Sequence, residues 1–114
     1  MNLDNFLKQL EQKPEQIEFS ETMAVIDASY NFTPSAFVNG QTKNDVDTNN
    51  GSCKIFSFGL LNKLSEQQTL ACFGSYYRND VLENPNSDDH QNIRNFMVSG
   101  WSGIQFDGIA LTEK

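Results

Sequence analysis

The sequence is poor in the residue types that build metal sites, disulfide scaffolds and membrane spans. It holds one histidine, two cysteines and three prolines in 114 residues. A lone histidine with two well-separated cysteines has no zinc spacing, so neither a metal site nor another cofactor is expected. Cys53 and Cys72 do not amount to a disulfide framework, and both are expected as reduced thiols. No apolar run approaches the roughly 20 residues that cross a bilayer. The opening MNLDNFLKQLEQK has the pattern of an amphipathic helix rather than of a signal-peptide core, which points to the cytoplasm and away from membranes.

Positive charge is scarce too. Eight basic residues stand against fifteen acidic ones, for a net charge of -7. Lys54, Lys63, Arg78 and Arg94 are scattered, and no basic patch offers a phosphate backbone a landing place, so nucleic acid is not an expected partner. Aromatic residues, by contrast, are plentiful: nine are Phe. A chain of this length with that many large apolar side chains is expected to fold as a single domain, residues 1–114, around one core.

The apolar pattern places the elements. Leu3, Phe6, Leu7 and Leu10 lie on one helical face, and Pro14 closes that helix. A second helix is expected to open near Ser20 and end near Ser29, carrying Met23 and Ile26. Tyr30 and Phe32 then alternate with polar residues, and Asn39-Gly40 suits the two central positions of a type I′ hairpin turn. Pro34 lacks an N–H and makes the first strand an edge strand or a bulged one. Residues 42–51 are polar and read as a mobile loop.

Three further helices follow. Cys53, Phe56, Leu60 and Leu64 share one face while Ile55, Phe58 and Leu61 occupy others, which marks a helix buried nearly all round. Ser65-Glu66-Gln67-Gln68 has capping-box form, with Leu70, Phe73, Tyr77 and Val81 as the stripe behind it. Gly74 inside that helix implies a backbone passing close by. Asp88-x-x-Gln91 has capping-box form again, before Ile93, Phe96 and Met97, with Gly100 at the helix stop. Ile104 and Phe106 alternate as a strand able to join the hairpin. The expected fold is therefore α+β and predominantly helical, with about five helices. Its small antiparallel sheet would be formed by a hairpin near residues 30–46 and a C-terminal strand near 104–111.

The stretches PEQIEFSETMAVIDASYNFTPSAFVNG, GSCKIFSF, LSEQQTLACFGSYYRNDVL and DHQNIRNFMVSGWSGIQFDG together resemble the HopJ type III effector family, in the same order and over residues 3–109. The resemblance implies a bacterial protein with that family's compact mixed fold, and by the family's name it implies secretion through a type III system. It brings no catalytic residues with it, so the candidate sites rest on chemistry alone.

Two sites present themselves. Gly51-Ser52-Cys53 puts a cysteine in the first turn of a helix, where the dipole and free amides favour a thiolate. This is similar to the nucleophile segment of papain-like proteases, although Lys54 stands where an aromatic is expected and Asp47 where an oxyanion-donating Gln is. His90 would be its base, with Asp27, Asp80 or Asn95 as the group that orients the ring. The second site is the polar cluster Tyr76, Tyr77, Arg78, Asp80, Asp88, Asp89, His90 and Arg94, gathered at one end of two antiparallel helices. Its competing explanation is ordinary capping and ion pairing. Trp101 reads as a core plug unless its ring edge is exposed beside His90. DVDTNNG begins like a calcium loop, but Asn50 replaces the turn glycine and Phe56 the bidentate Glu. A domain that binds a protein or a small ligand is the expected function. A small hydrolase or transferase using Cys53, or Tyr77, Arg78 and His90, is the alternative.

Overall fold

The structure is a computed structural model and describes residues 2–114. Helix α1, Leu3–Gln12, is capped by Asn2, whose side chain accepts from the Asn5 N–H at 2.8 Å, and it buries Phe6 and Leu10. Pro14 ends it by opening a 3-10 turn, Pro14–Gln16. Helix α2, Phe19–Ser29, starts a residue earlier than Ser20 because the Glu18 N–H donates to the Glu21 carboxylate at 3.0 Å. None of the described helices is long and apolar enough to cross a membrane.

Among the described residues five short strands form two sheets where the pattern suggested one. Strand β1, Tyr30–Phe32, pairs antiparallel with β5, Leu111–Glu113, while β2, Phe37–Asn39, sits between β3, Thr42–Asn44, and β4, Ile104–Phe106. Both sheets belong to one interrupted ribbon. Between them the Thr33 N–H donates to the Ala110 carbonyl (2.8 Å), the Gly108 N–H to Ser35 Oγ (3.1 Å) and the Asp107 N–H to the Ala36 carbonyl (3.0 Å). Pro34 has no N–H to give, and at that point the regular ladder breaks. Tyr30 and Phe32 thus fall outside the hairpin.

The hairpin itself is offset by one residue from the Asn39-Gly40 expectation. Asn39 pairs with Thr42, leaving Gly40-Gln41 as the central pair, and of these only Gly40 has positive φ, +61°. That is the pattern of a turn needing glycine at its first central position alone. Asn39 is consequently a strand residue, and residues 42–44 of the supposed loop are the hairpin's second strand.

Helix α3, Asn50–Leu61, is the buried spine. Ile55, Phe56 and Phe58 are fully covered, and the Phe56 ring meets Phe37, Phe73, Phe96 and Trp101 at centroid distances of 5.0–6.4 Å. Only its end surfaces, where Leu60 and Leu61 are exposed. Helix α4, Glu66–Ala71, begins with the expected reciprocal box: Ser65 Oγ accepts from the Gln68 N–H (3.1 Å) and Gln68 Oε1 from the Ser65 N–H (2.9 Å). The helix does not run on to Val81. Gly74 adopts φ +62°, and a Cβ there would lie 2.6 Å from the Phe19 nitrogen, so the close backbone is that of the α2 start. After this break, Tyr76–Val81 forms a single π-helical segment. Helix α5, Gln91–Ser99, leads through a 3-10 turn, Gly100–Gly103, into β4. The fold is α+β: the described residues form five α-helices and two small antiparallel sheets.

Candidate functional site

The beginning of α5 departs from the capping box its residues suggested, and the departure builds the site. His90, not Asp88, is the N-cap, in the left-handed conformation (φ 50°, ψ 47°), which histidine tolerates better than most residues. Gln91 turns its amide to the Asp88 carbonyl at 2.6 Å, and Asp88 itself is exposed. With its backbone so placed, the imidazole has Nε2 3.1 Å from Asp80 Oδ2 and 3.9 Å from Asp89 Oδ2, and its ring centroid is 5.3 Å from that of Tyr76.

Asp89 is itself held. Arg94 donates from Nη2 to Asp89 Oδ1 (2.7 Å) and from Nε to the Asp89 carbonyl (2.6 Å). The Arg94 hydrogen bond keeps the Asp89 carboxyl below the usual carboxylate range against an opposing desolvation, with the charges of His90 and Arg94 adding to the lowering. Asp80 is therefore the orienting group among the three candidates. Asp27 is paired with Lys54 at 2.9 Å, and Asn95 donates to Thr42 Oγ1 at 2.5 Å.

His90 lines a cavity of about 340 Å³ between the starts of α2, α3 and α5. Its apolar lining comes from Phe19, Phe73, Tyr76 and Ile93; Phe19 and Tyr76 meet edge to face at 5.0 Å. The rest of the lining is polar and, His90 apart, without ionisable groups: Thr42, Asn49, Ser52, Gln91 and Asn92. Helices α3 and α5 both begin here. Their N-cap residues, Asn49 and His90, are both left-handed, and neither supplies a side-chain cap. The first-turn amides thus bring the positive ends of two helix dipoles to one cavity.

Behind the polar lining lies a group of asparagines that no motif announced. Asn92 Oδ1 accepts from Asn39 Nδ2 (3.1 Å) and Asn44 Nδ2 (3.1 Å), and Asn92 Nδ2 donates to Asn44 Oδ1 (2.9 Å), which also accepts from Asn49 Nδ2 (2.7 Å). Asn39, Asn44 and Asn92 are all buried. This network ties the hairpin to the starts of α3 and α5. The thirteen asparagines of the chain are the only hint of it in the sequence, because the partners lie up to 53 residues apart.

The other candidates fall elsewhere. Tyr76, Asp80, Asp89, His90 and Arg94 come together, but Tyr77 and Arg78 do not join them. Arg78 reaches Glu18 at 3.5 Å, and Tyr77 and Arg78 line a separate groove beside α1 and α4. Trp101 packs edge-on against Phe96 at 5.0 Å and donates from Nε1 to the Leu64 carbonyl at 3.0 Å, on a different surface from His90. Cys53 is 1% exposed, points its thiol at the Ser35 carbonyl (3.6 Å), and has its pKa raised by burial, the reverse of an activated nucleophile. Its neighbours Gly51 and Ser52 line the cavity, whereas Cys53 does not. Cys72 is fully buried, with its pKa pushed up to about 12 by desolvation. In the calcium-like loop, Thr48 Oγ1 is spent on the Asp45 carbonyl at 2.6 Å and Asn49 on Asn44. Among the described residues no group of three or more His, Cys, Asp or Glu side chains is placed to hold a metal ion.

Comparison with known proteins agrees over nearly the whole chain. The family model described as HopJ type III effector protein matches residues 3–111. A solved structure, described as the crystal structure of unknown function protein VPA0580, is 63% identical with a TM-score of 0.99, and the match covers 100% of this chain and 95% of that one. No curated protein sequence matches.

Proposed function

We propose that this chain, which belongs to the HopJ type III effector protein family, works as a binding protein whose His90 cavity takes a small molecule with a flat apolar face and an anionic edge. The observation that carries this reading is the mixed lining: Phe19, Phe73 and Tyr76 share the cavity with the starts of α3 and α5, whose N-cap side chains make no capping hydrogen bond. Aromatic walls favour a flat ring, and free amides at helix N-termini favour a carboxylate or phosphate oxygen. The effector description of the family supports a protein that acts through what it binds. A cysteine-dependent hydrolase is the weaker reading, because the Cys53 thiol is buried against Ser35 while His90 is engaged with Asp80.

Benzoate combines the two required features, and benzamide lacks the charge. In amide-detected NMR titrations, benzoate is expected to produce saturable shifts at Gly51, Ser52, Gln91 and Ile93, with benzamide several-fold weaker. His90→Ala and Tyr76→Ala should each weaken benzoate. Absence of saturable shifts at these four amides, or equal binding of benzamide, would sink the reading.

A further inference from the structure

The groove that receives Tyr77 and Arg78 lies between the end of α1, the Pro14–Gln16 turn and α4, and encloses about 280 Å³. Its apolar lining comes from Leu10, Pro14, Ala71 and Tyr77. Arg78 stands in the same lining with an unmet demand. Its Nη2 reaches Glu18 only at 3.5 Å, the outer limit of a hydrogen bond, and its Nη1 is buried with no acceptor at all. A guanidinium N–H shut off from water without a partner is a standing cost of folding, and native structures leave few such groups. Nη1 has no surface open to the groove, so a ligand meets the rest of the side chain, which is 24% exposed, and the acceptor that best answers its charge is a carboxylate.

An anion alone would fit poorly, because Glu11 and Glu15 line the groove as well. A molecule carrying both signs meets both demands. The volume falls just below that of drug-sized small-molecule pockets, which run from roughly 300 Å³ upward, and suits a ligand the size of an amino acid. We propose that this groove binds a small zwitterion of amino-acid type, with its carboxylate on Arg78, its ammonium toward Glu11 and Glu15, and its side chain over Leu10, Pro14, Ala71 and Tyr77. The site is separate from the His90 cavity and independent of it.

Leucine, leucinamide and N-acetylleucine isolate the two charges, and amide-detected NMR of the full chain reads the site. Leucine is expected to shift the Ala71, Tyr77 and Arg78 amides saturably, and both analogues should bind more weakly. Arg78→Gln should weaken leucine by about tenfold or more, as expected for a lost charge-assisted hydrogen bond, and Glu15→Gln by a few-fold. If Arg78→Gln does not fold, Arg78→Lys, which keeps the charge without the fork, is expected to weaken leucine several-fold. His90→Ala should leave leucine binding unchanged. The proposal is overturned by the absence of saturable leucine shifts in the unaltered protein. Leucine affinity indifferent to both Arg78 variants, or N-acetylleucine binding as tightly as leucine, would overturn it as well.

Discussion

Two tetrapeptides of the same form, Ser65-x-x-Gln68 and Asp88-x-x-Gln91, meet different fates. At the first, Ser65 adopts extended backbone (φ -67°, ψ 165°), and both reciprocal hydrogen bonds form. At the second, the helix waits two residues, His90 takes the left-handed cap position, and Gln91 bonds the Asp88 carbonyl instead. What differs is the competition. Near Ser65 no ionic partner contests the hydroxyl. Around Asp88 the backbone is claimed by Arg94, which grips Asp89 twice, and by Asp80, which holds the His90 ring. A cap is worth only about 1 kcal/mol, so contacts of comparable size can redirect it. A local motif of that size decides the backbone only where tertiary contacts leave it alone.

The comparison can be broken first at the segment that sets α4 apart from the π-helical turn bearing Tyr76 and Asp80. Gly74→Ala puts a methyl group 2.6 Å from the Phe19 nitrogen at φ +62°, and is expected to cost about 3 kcal/mol. Urea denaturation measures this, and a loss under 1 kcal/mol would mean that the break is easily remodelled. Ser65→Ala and Asp88→Ala form the direct contrast. The former should lose about 1 kcal/mol, the latter no more than about 0.5 kcal/mol, and equal losses would contradict the assignment of only one true cap. His90→Gly should be more stable than His90→Ala by about 1 kcal/mol, because only glycine occupies the left-handed region without strain; thermal melts of the two variants decide it.

The smallest effect is the pH dependence at Asp89. Its pKa is lowered in the folded state, so the protonated form is favoured more by the unfolded chain. Its stabilising contribution is present above the ordinary carboxylate pKa and is lost as pH falls through the depressed value. Asp89→Asn should therefore be slightly less stable than the unaltered protein at neutral pH, with the gap closing in acid. A gap that stays constant across the acid range would show that the Arg94 pairing does not lower the Asp89 pKa.

Much of the scaffold is legible in the residues. The α1 stripe, the Ser65 cap, the buried spine around Phe56 and the close backbone at Gly74 all follow from spacing or from glycine stereochemistry, which act within a few residues. The candidate site was legible in part. Tyr76, Asp80, Asp89, His90 and Arg94 do converge, but by a left-handed cap rather than a capping box, and Tyr77 and Arg78 were wrongly included with them. That grouping assumed two regular antiparallel helices with a shared end, whereas after Gly74 the chain winds into a π segment and Arg78 pairs with Glu18.

The sequence by itself determined in outline where the helices lie and that large aromatic side chains fill the inside, because periodic burial of apolar surface is a local code with a large summed free energy. Tertiary structure alone decided that the ribbon breaks at Pro34 into two sheets, that Asn39, Asn44 and Asn92 meet, and that two helix starts share one cavity with His90. Those outcomes depend on partners tens of residues apart, each interaction worth only a kcal/mol or so, and no short stretch of sequence carries them.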